Sequence, residues 1–378
     1  MANTLTNLIP DAFAALDVVS RELVGFIPAV ARDASADRLA LGQTLRSTVA
    51  PANTTGADIT PAMSLISAGD QTVGNKSITI SKSRYTKFSW TGGEQRSMDA
   101  GPGFLTIQQD QIAQAMRALV NEMEVDIATA IKNGASRAFG TAGTAPFGSS
   151  VGDAAQIKKI LDDNGAPASD RHLVFNTAAG VNLRSLSNLY KVNEAGDESL
   201  LRQGTLGNLF AFTLRESAQV NNATAGTGAS YQINNGGGYA IGDTALTVDT
   251  GTGTILAGDV VTIGSFKYVV ATALAANVVT IAAPGLRAAV ADDATVTVNA
   301  TSVRNAGFSR NSTLLATRLP DLPKEGDQAS DRKIITDPRS GISFELAVYP
   351  GFRMNTYFIG VAWGVSVIKP EHTAILLG

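Results

Sequence analysis

The sequence contains no cysteine, and histidine is almost as scarce. The lack of cysteine excludes disulfide bonds, thiolate metal sites and cysteine nucleophiles, and it is typical of a protein that matures in a reducing cytoplasm. The two histidines, His172 and His372, have neither a second histidine nor a carboxylate at ligand spacing, so we expect no metal site. His372 follows Lys369-Pro370-Glu371 and is interpreted as a turn residue.

The motifs of common enzymes are also absent. The chain has no GxSxG elbow, no Walker-type phosphate loop and no HExxH helix. The glycine-rich runs GTGAS and NNGGGY lack the strand-to-helix frame of a nucleotide loop, and we interpret them as linkers. Two adjacent acidic pairs, Asp162-Asp163 and Asp292-Asp293, are poor candidates for acid–base catalysis. We therefore predict a non-enzymatic protein without catalytic, cofactor-binding or metal-ligating residues.

The sequence contains few charged residues and many apolar ones. Charged residues make up 17% of the 378 positions and hydrophobic residues 44%, which excludes a disordered chain. The net charge of −3 excludes a protein that coats nucleic acid along its whole surface. The N-terminus has no basic region before its apolar residues, and no run approaches the ~18–20 apolar residues of a membrane span, so we expect neither a signal peptide nor a membrane helix.

One segment departs from this acidic balance. KSITISKSRYTKFSW contains four basic residues and no acid, and residues 71–93 contain no acid either; the basic residues are Lys76, Lys82, Arg84 and Lys87. Alternation around Ile78 and Ile80 predicts a β-ribbon, which Gly74-Asn75 and Gly92-Gly93 bound with turns. Such a local basic feature indicates a local acidic partner.

A long helix is predicted over residues 106–134. Apolar residues recur there every three or four positions, at Ile112, Met116, Leu119, Met123, Ile127 and Ala130. Thr106 with Gln109 forms a capping box, and Gly134 is a stop signal. At ~1.5 Å per residue the helix would be about 40 Å long, and no comparable helix follows to pack beside it. This pattern indicates a spine, whose later half carries Glu122, Glu124 and Asp126.

The remaining segments predict a mixed body with an insertion. We expect helices over residues 10–30, 154–161 and 177–189, and strands over 172–176, 209–214 and 358–368. Residues 221–303 contain only two basic residues and five short β runs, with Gly264-Ser265 as a type II′ hairpin turn. Short strands at even spacing without a helix predict an inserted β-barrel.

This order of parts resembles the major capsid (coat) proteins of tailed bacteriophages, which share the Hong-Kong-97-like fold. It is most similar to the short-tailed-phage branch that carries an inserted barrel. Three local segments carry the resemblance, NAGFSRNSTLLATRLPDLP (305–323), TDPRSGISFELAVYPGF (336–352) and WGVSVIKPEHTAILLG (363–378). The resemblance implies an α+β capsid fold, divided as follows: N-terminal arm or helix 1–35, extended loop with ribbon 36–103, spine helix and peripheral and axial body 104–220, inserted β-barrel 221–306, and return segment 307–378.

The resemblance also implies a function. The chain would assemble with itself, as hexameric and pentameric capsomers, into the icosahedral shell that encloses the phage genome. Its partners would be a scaffolding protein, a portal and packaged double-stranded DNA, and its location the virion, after assembly in the bacterial cytoplasm. We expect no covalent cross-linking between subunits.

The resemblance further implies that the extended loop reaches over a neighbouring subunit. Because the ribbon is basic and the spine acidic, we expect intersubunit contacts between Lys76, Lys82, Arg84 and Lys87 on one side and Glu122, Glu124 and Asp126 on the other. These charges could equally serve only to keep both elements soluble.

Three other functions fit parts of the sequence. The same fold forms cellular, encapsulin-like nanocompartments, although the inserted barrel belongs to phage coats. A nucleic-acid binder would use Tyr85, Phe88 and Trp90 as stacking platforms, with Phe88 and Trp90 on one strand face and Tyr85 on the other. An exported β-rich adhesin is the third alternative, and the lack of an export signal argues against it.

Overall fold

The computed structural model describes residues 24–49, 74–99, 104–186, 189, 207–220, 222–337 and 341–378. Its helices are α1 (Gly92–Asp99), α2 (Phe104–Gly134), α3 (Gly152–Asp163) and α4 (Thr177–Ser185), with short 3-10 turns at Arg310–Ser312 and Pro370–His372. The strands are β1 (Ala31–Leu39), β2 (Thr44–Val49), β3 (Gly74–Thr79), β4 (Lys82–Thr91), β5 (Arg137–Phe139), β6 (Arg171–Phe175), β7 (Asn208–Leu209), β8 (Phe212–Glu216), β9 (Asn222–Ala223), β10 (Tyr231–Ile233), β11 (Ala245–Asp249), β12 (Val260–Ile263), β13 (Phe266–Ala275), β14 (Val278–Ile281), β15 (Thr295–Val298), β16 (Ser302–Ser309), β17 (Thr313–Pro320), β18 (Asp331–Thr336), β19 (Ser343–Gly351), β20 (Met354–Val367) and β21 (Thr373–Leu377).

A six-stranded sheet is built around β20. β4 pairs antiparallel with one edge of β20, from Lys82 opposite Trp363 to Thr91 opposite Met354. The other edge of β20 pairs first with β19 and then with β17, and β18 and β1 complete the sheet. Residues 359–364 are all buried, as expected for a strand that packs on both faces.

The predicted long helix is present as α2 and packs against this sheet. Its predicted stripe forms the main core, since Ile112, Met116, Leu119, Met123 and Ile127 are at most 2% exposed. Ile131 is buried in place of the predicted Ala130. The helix begins at Phe104, so Thr106 lies inside its first turn and the predicted capping box is wrong. Its 31 residues span about 46 Å.

The basic ribbon is two strands with different partners. β3 pairs antiparallel with β2 in a separate two-stranded sheet, whereas β4 belongs to the six-stranded sheet. The predicted turn at Gly92-Gly93 is wrong, because α1 begins at Gly92 directly after β4. A capping box explains this start: Thr91 N donates to Glu94 Oε2 at 2.8 Å, and Glu94 N donates to Thr91 Oγ1 at 3.4 Å.

The N-terminal prediction is only partly within the described residues. Residues 10–23 of the predicted helix lie outside them. Residues 24–30 form a turn rather than a helix, and β1 follows, parallel to β17. Phe26 stacks against Phe308 at 6.3 Å between ring centroids, which holds this turn on the body.

The second sheet joins the body to the insertion. In the body, β21 lies between β5 and β16, and β6, β8 and β7 extend the sheet, with α3 and α4 packed around a second core. The predicted helices at 154–161 and 177–189 correspond to α3 and to the shorter α4. The predicted strand at 209–214 is the β7–β8 hairpin, turned at Phe210 and Ala211, both of which have positive φ.

The insertion forms a closed, antiparallel six-stranded barrel. Its strand order is β12-β15-β10-β11-β14-β13, and the additional pairing of β13 with β12 closes the ring. The five predicted β runs are β11–β15, and Gly264 has a φ of +59° in the predicted hairpin turn. The barrel has its own apolar core and joins the body through two residue pairs of β13 with β5 and through Val260 and Val269, which are buried in the main core. The predicted limit of the insertion at residue 306 falls inside β16.

Among the residues that the structure describes, no helix is both long enough and apolar enough to cross a membrane.

Candidate functional site

The predicted basic and acidic residues meet where β4 crosses α2, within one chain. Lys82 Nζ lies 2.9 Å from Glu122 Oε1 and 2.8 Å from Asp126 Oδ1, and Arg84 Nε lies 2.9 Å from Glu122 Oε1. Lys82 and Arg84 are two residues apart on a strand, and Glu122 and Asp126 are one turn apart on a helix, so each pair shares a face. We call these four residues the helix–strand junction.

The electrostatics of the junction favour its charged form. Desolvation opposes the charge on Lys82, but the hydrogen bonds to Asp126 and Glu122 outweigh it and raise the pKa of the amine. Desolvation likewise opposes the charge on Glu122, and the hydrogen bonds from Lys82 and Arg84 lower its pKa nonetheless. The junction is therefore a network of mutually stabilised charges.

A buried tryptophan extends the junction into the sheet. Trp363 of β20 is fully buried, and its Nε1 donates to Asp126 Oδ2 at 2.8 Å. Lys82 Nζ lies 6.0 Å from the centre of the Trp363 ring. Asp126 thus joins three elements, since it accepts from β4 and β20 and lies on α2.

Glu124 lies on a different side of α2 and is fully buried. Its carboxylate accepts hydrogen bonds from Phe26 N at 3.0 Å, Ile27 N at 2.9 Å and Ser217 Oγ at 3.3 Å. Desolvation outweighs these bonds and raises the pKa of Glu124 to about 7. The structure therefore corrects the expectation that Glu124 faces a neighbouring subunit: the carboxylate is enclosed by its own chain and fixes the turn that precedes β1.

The other two basic residues of the ribbon have a different environment. Lys76 and Lys87 are exposed, and neither makes a hydrogen bond or ion pair with another part of the chain that the structure describes. An intersubunit role for the predicted residues stays a prediction. Of the four basic residues, Lys76 and Lys87 are the two that form no ion pair with a described residue of this chain.

The aromatic residues of β4 are packing groups. Tyr85 stacks on Phe358 with ring centroids 4.8 Å apart, and Phe88 stacks on Tyr357 at 5.0 Å. Trp90 is only 8% exposed and belongs to the main core. Tyr85 is 55% exposed, but Phe88 and Trp90 are taken up by packing, so the three residues do not together form the stacking surface that a nucleic-acid binder needs.

Sequence reasoning missed a contact of His172. Asp170 Oδ1 lies 3.0 Å from His172 Nε2, although no carboxylate was expected at ligand spacing. Desolvation lowers the pKa of His172 despite this hydrogen bond. The described residues contain no group of three histidine, cysteine or acidic side chains arranged for a metal ion.

Comparisons with known proteins identify the fold. No protein-family model matches the sequence, and neither does any curated protein. The capsid structure of the cyanophage P-SCSP1u matches with a TM-score of 0.50 and 10% identity, over 92% of this chain and 86% of that chain. The mature capsid of bacteriophage PhiM1 gives a TM-score of 0.47 and 13% identity over 93% and 86%, and a chain of Mycobacterium phage Che8 gives 0.46 and 14% over 89% and 85%. The chain shares the mixed helix-and-strand fold of the cyanophage capsid structure.

Proposed function

We propose that this chain is a major capsid protein of a tailed bacteriophage and assembles with itself into a closed icosahedral shell around the phage genome. The fold shared with the cyanophage P-SCSP1u capsid along 92% of the chain carries this proposal. The charged residues of the helix–strand junction and Glu124 are consistent with a structural protein, because their contacts join elements of the chain to one another.

The proposal assigns the parts of the Hong-Kong-97-like fold to observed elements. α2 is the spine helix, and with strands β17 to β20 of the six-stranded sheet it forms the peripheral domain. The body half of the second sheet, with α3 and α4, forms the axial domain. β2, β3 and β4 belong to the extended loop of residues 36–103, and the closed barrel is the insertion.

The same proposal supplies the partners. The chain forms hexameric and pentameric capsomers with the help of a scaffolding protein and a portal, and the shell contains double-stranded DNA. It is assembled in the bacterial cytoplasm and becomes part of the virion. Lys76 and Lys87 contact a neighbouring subunit, since their exposed charges have no partner among the described residues.

The test is assembly of the purified full-length chain, followed by sedimentation and electron microscopy, with and without a co-expressed scaffolding protein. We expect closed shells or capsomer rings. The double variant K76E/K87E should keep its thermal unfolding midpoint and lose assembly, because exposed charges contribute little to the fold. K324E reverses another exposed lysine and is the matched control, which should assemble normally. A persistent small species under all these conditions would contradict the proposal.

A further inference from the structure

A small cavity lies where α2 meets both connections of the barrel. It is lined by the C-terminal part of α2, by β9 on the way into the barrel and by β16 on the way out, and it is partly open to solvent. Its volume is about 90 Å³. One water molecule needs only ~10–15 Å³, so the cavity has room for a larger ligand. We call it the α2–β16 cavity.

The side chains that line this cavity make it positively charged. Lys132 of α2 and Arg304 of β16 both line it, together with the neutral amides of Gln219 and Asn222. Among the described residues of the lining, none is acidic. Two cations at a partly enclosed site attract an anion strongly, because little water is present to screen them.

Arg304 is 4% exposed, and one edge of its guanidinium is free. Its Nη1 donates to Ser302 Oγ at 3.0 Å, whereas its Nε and Nη2 are buried and have no hydrogen-bond partner in the part of the chain that the structure describes. Nε and Nη2 carry the two parallel N–H groups of the guanidinium fork, which matches two oxygens of one anion. Because buried donors ordinarily have partners, a complete and unused fork indicates a ligand with two adjacent oxygens.

Lys132 supplies the second positive charge. It is half-buried, and its amine has no ion-pair partner among the described residues. Desolvation lowers the pKa of Lys132, and the charge of Arg304 lowers it further, so the two cations act on each other. Like charges that are partly withdrawn from water raise the free energy of the fold unless an anion lies between them.

The acid next to the cavity does not neutralise these cations. Asp259 is buried in the barrel, and its carboxylate accepts from Leu256 N at 2.7 Å and from Gly226 N at 3.1 Å. It acts on Lys132 and Arg304 only through space. The oxygens of Asp259 therefore leave the fork of Arg304 unoccupied.

We propose that the α2–β16 cavity binds a free tetrahedral oxyanion such as phosphate, with Arg304 and Lys132 as its cationic ligands. Two oxygens accept from the free fork of Arg304, and a third accepts from the amine of Lys132. A carboxylate has only two coplanar oxygens, so it would suit the fork and leave Lys132 without an acceptor. The bound ion would connect α2 to the strand that leaves the barrel. Because the described lining belongs to one chain, the site is independent of the proposed assembly.

The test is calorimetric titration of the full-length chain with inorganic phosphate, with sodium chloride of equal ionic strength as the reference. We expect one saturable site per chain and a thermal unfolding midpoint that rises and then levels off, because a ligand of the folded state stabilises it by mass action. The general effect of phosphate on apolar burial does not saturate in this way. Sulfate should compete, since its oxygens have the same arrangement. R304K keeps the charge and loses the fork, and K132M loses the charge, so each should bind phosphate about tenfold more weakly or worse.

Two matched variants are the controls. R318K changes a buried arginine whose Nη2 already donates to Asp33 Oδ2 at 3.0 Å, and K369M changes a half-buried lysine outside the cavity. Both should bind phosphate as the unsubstituted chain does. If R304K did not unfold cooperatively in chloride, the comparison of K132M with K369M would decide, since both lysines are half-buried.

Three results would overturn the proposal. Without saturable binding by the unsubstituted chain, the cavity contains only water. Equal weakening in K132M and K369M would mean that phosphate responds to the general charge of the protein. A short oligothymidylate should not compete, because each backbone phosphate carries two ester chains that a cavity of about 90 Å³ does not admit, and competition would exclude a free ion as the ligand.

Discussion

At the scale of single residues, Glu124 shows how position on a helix decides the role of a carboxylate. Glu122 and Asp126 lie one turn apart and face β4, whereas Glu124 is two residues from each and therefore points about 200° away on the helix. Val120, Ile127 and Ile131, which share its side of the helix, are buried in the main core. The sequence contains this signal, although grouping the three acids by proximity concealed it.

The burial of Glu124 predicts an unusual pH dependence. Because its pKa in the folded chain is about 7, above the ordinary value of 4.5, the folded state retains the proton longer than the unfolded state does. The contribution of Glu124 to the free energy of unfolding should therefore fall as the pH rises from about 4.5 to about 7, by at most about 1.4 kcal/mol per pH unit. Urea unfolding of the unsubstituted chain and E124Q across this range measures the effect, and E124Q should lose it.

Glu122 supplies the matched control for this measurement. Its pKa is lowered in the folded chain, so its contribution is present above the unfolded pKa and is lost as the pH falls. E122Q should therefore leave the slope between pH 4.5 and 7 unchanged. If E124Q and the unsubstituted chain had the same slope, the carboxylate would not be titrating in this range.

At the scale of elements, the helix–strand junction is what attaches β4 to α2. The side chains of Lys82 and Glu122 are 35% and 28% exposed, so water still screens their interaction. Thr86 adds a neutral contact, because its Oγ1 donates to the carbonyl of Ala115 at 3.1 Å. The junction should therefore make a modest, salt-dependent contribution to stability.

A double-mutant cycle of K82Q and E122Q measures this contribution. We expect a coupling free energy of about 0.5–1 kcal/mol at low salt and a smaller value in 1 M sodium chloride. K87Q changes an exposed lysine of the same strand and should leave the urea midpoint unchanged, with no coupling to E122Q. Coupling of K87Q as large as that of K82Q would mean that general charge balance, not this contact, is being measured.

Elements whose apolar residues recur at a regular period could be predicted from the sequence, and elements without such a period could not. The stripe of α2 and the valine- and isoleucine-rich runs of the barrel could be predicted, since each repeats at the period of its own secondary structure. β1 could not, because its sequence ARDASADRL lacks alternation and its partner β17 lies nearly 300 residues later. α1 was predictable from the capping box of Thr91 and Glu94, but the two glycines between them favour a turn.

The helix–strand junction was predictable in part, from the charges of the two elements. Opposite charges on the ribbon and the spine indicated that the two elements attract, and Lys82, Arg84, Glu122 and Asp126 do meet. Sequence alone does not distinguish a contact within a chain from one between chains, because that depends on how β20 carries β4 beside α2.

At the scale of the whole molecule, the barrel has an apolar core of its own and also packs against the main core of the body. Its buried core residues, Tyr231 to Val296, all belong to the insertion. Its contacts with the body include two backbone pairs of β13 with β5, the amine of Lys267, which donates to the carbonyl of Gly140, an ion pair of Arg287 with Asp163 at 3.8 Å, and the buried side chains of Val260 and Val269, which belong to the main core. A closed ring of strands also has no free edges that need a neighbour.

We therefore expect residues 224–301 to fold alone. The isolated segment should give dispersed amide resonances and a cooperative thermal transition. I263A, in its core, should lower the free energy of unfolding by about 2–5 kcal/mol, whereas I241A, at a residue that is 68% exposed, should have little effect. Poorly dispersed resonances, or equal responses to the two substitutions, would mean that the barrel needs the body.

β20 and β21, the last strands of the chain, lie in the middle of the two sheets, and this determines which part of the protein can fold first during synthesis. β20 pairs with β4, β17 and β19, and β21 lies between β5 and β16, so both sheets of the body are completed by residues 354–377. All strands of the barrel lie between residues 231 and 298, so the barrel can close while the ribosome is still translating the chain. The body cannot fold until these late strands have been synthesised, because β4 and β5 pair with strands more than 200 residues later in the chain. Pairing over such sequence distances is slow, and until it occurs the apolar surfaces of the body are exposed to aggregation. A chaperone that shelters the nascent chain would therefore act on the body and not on the barrel.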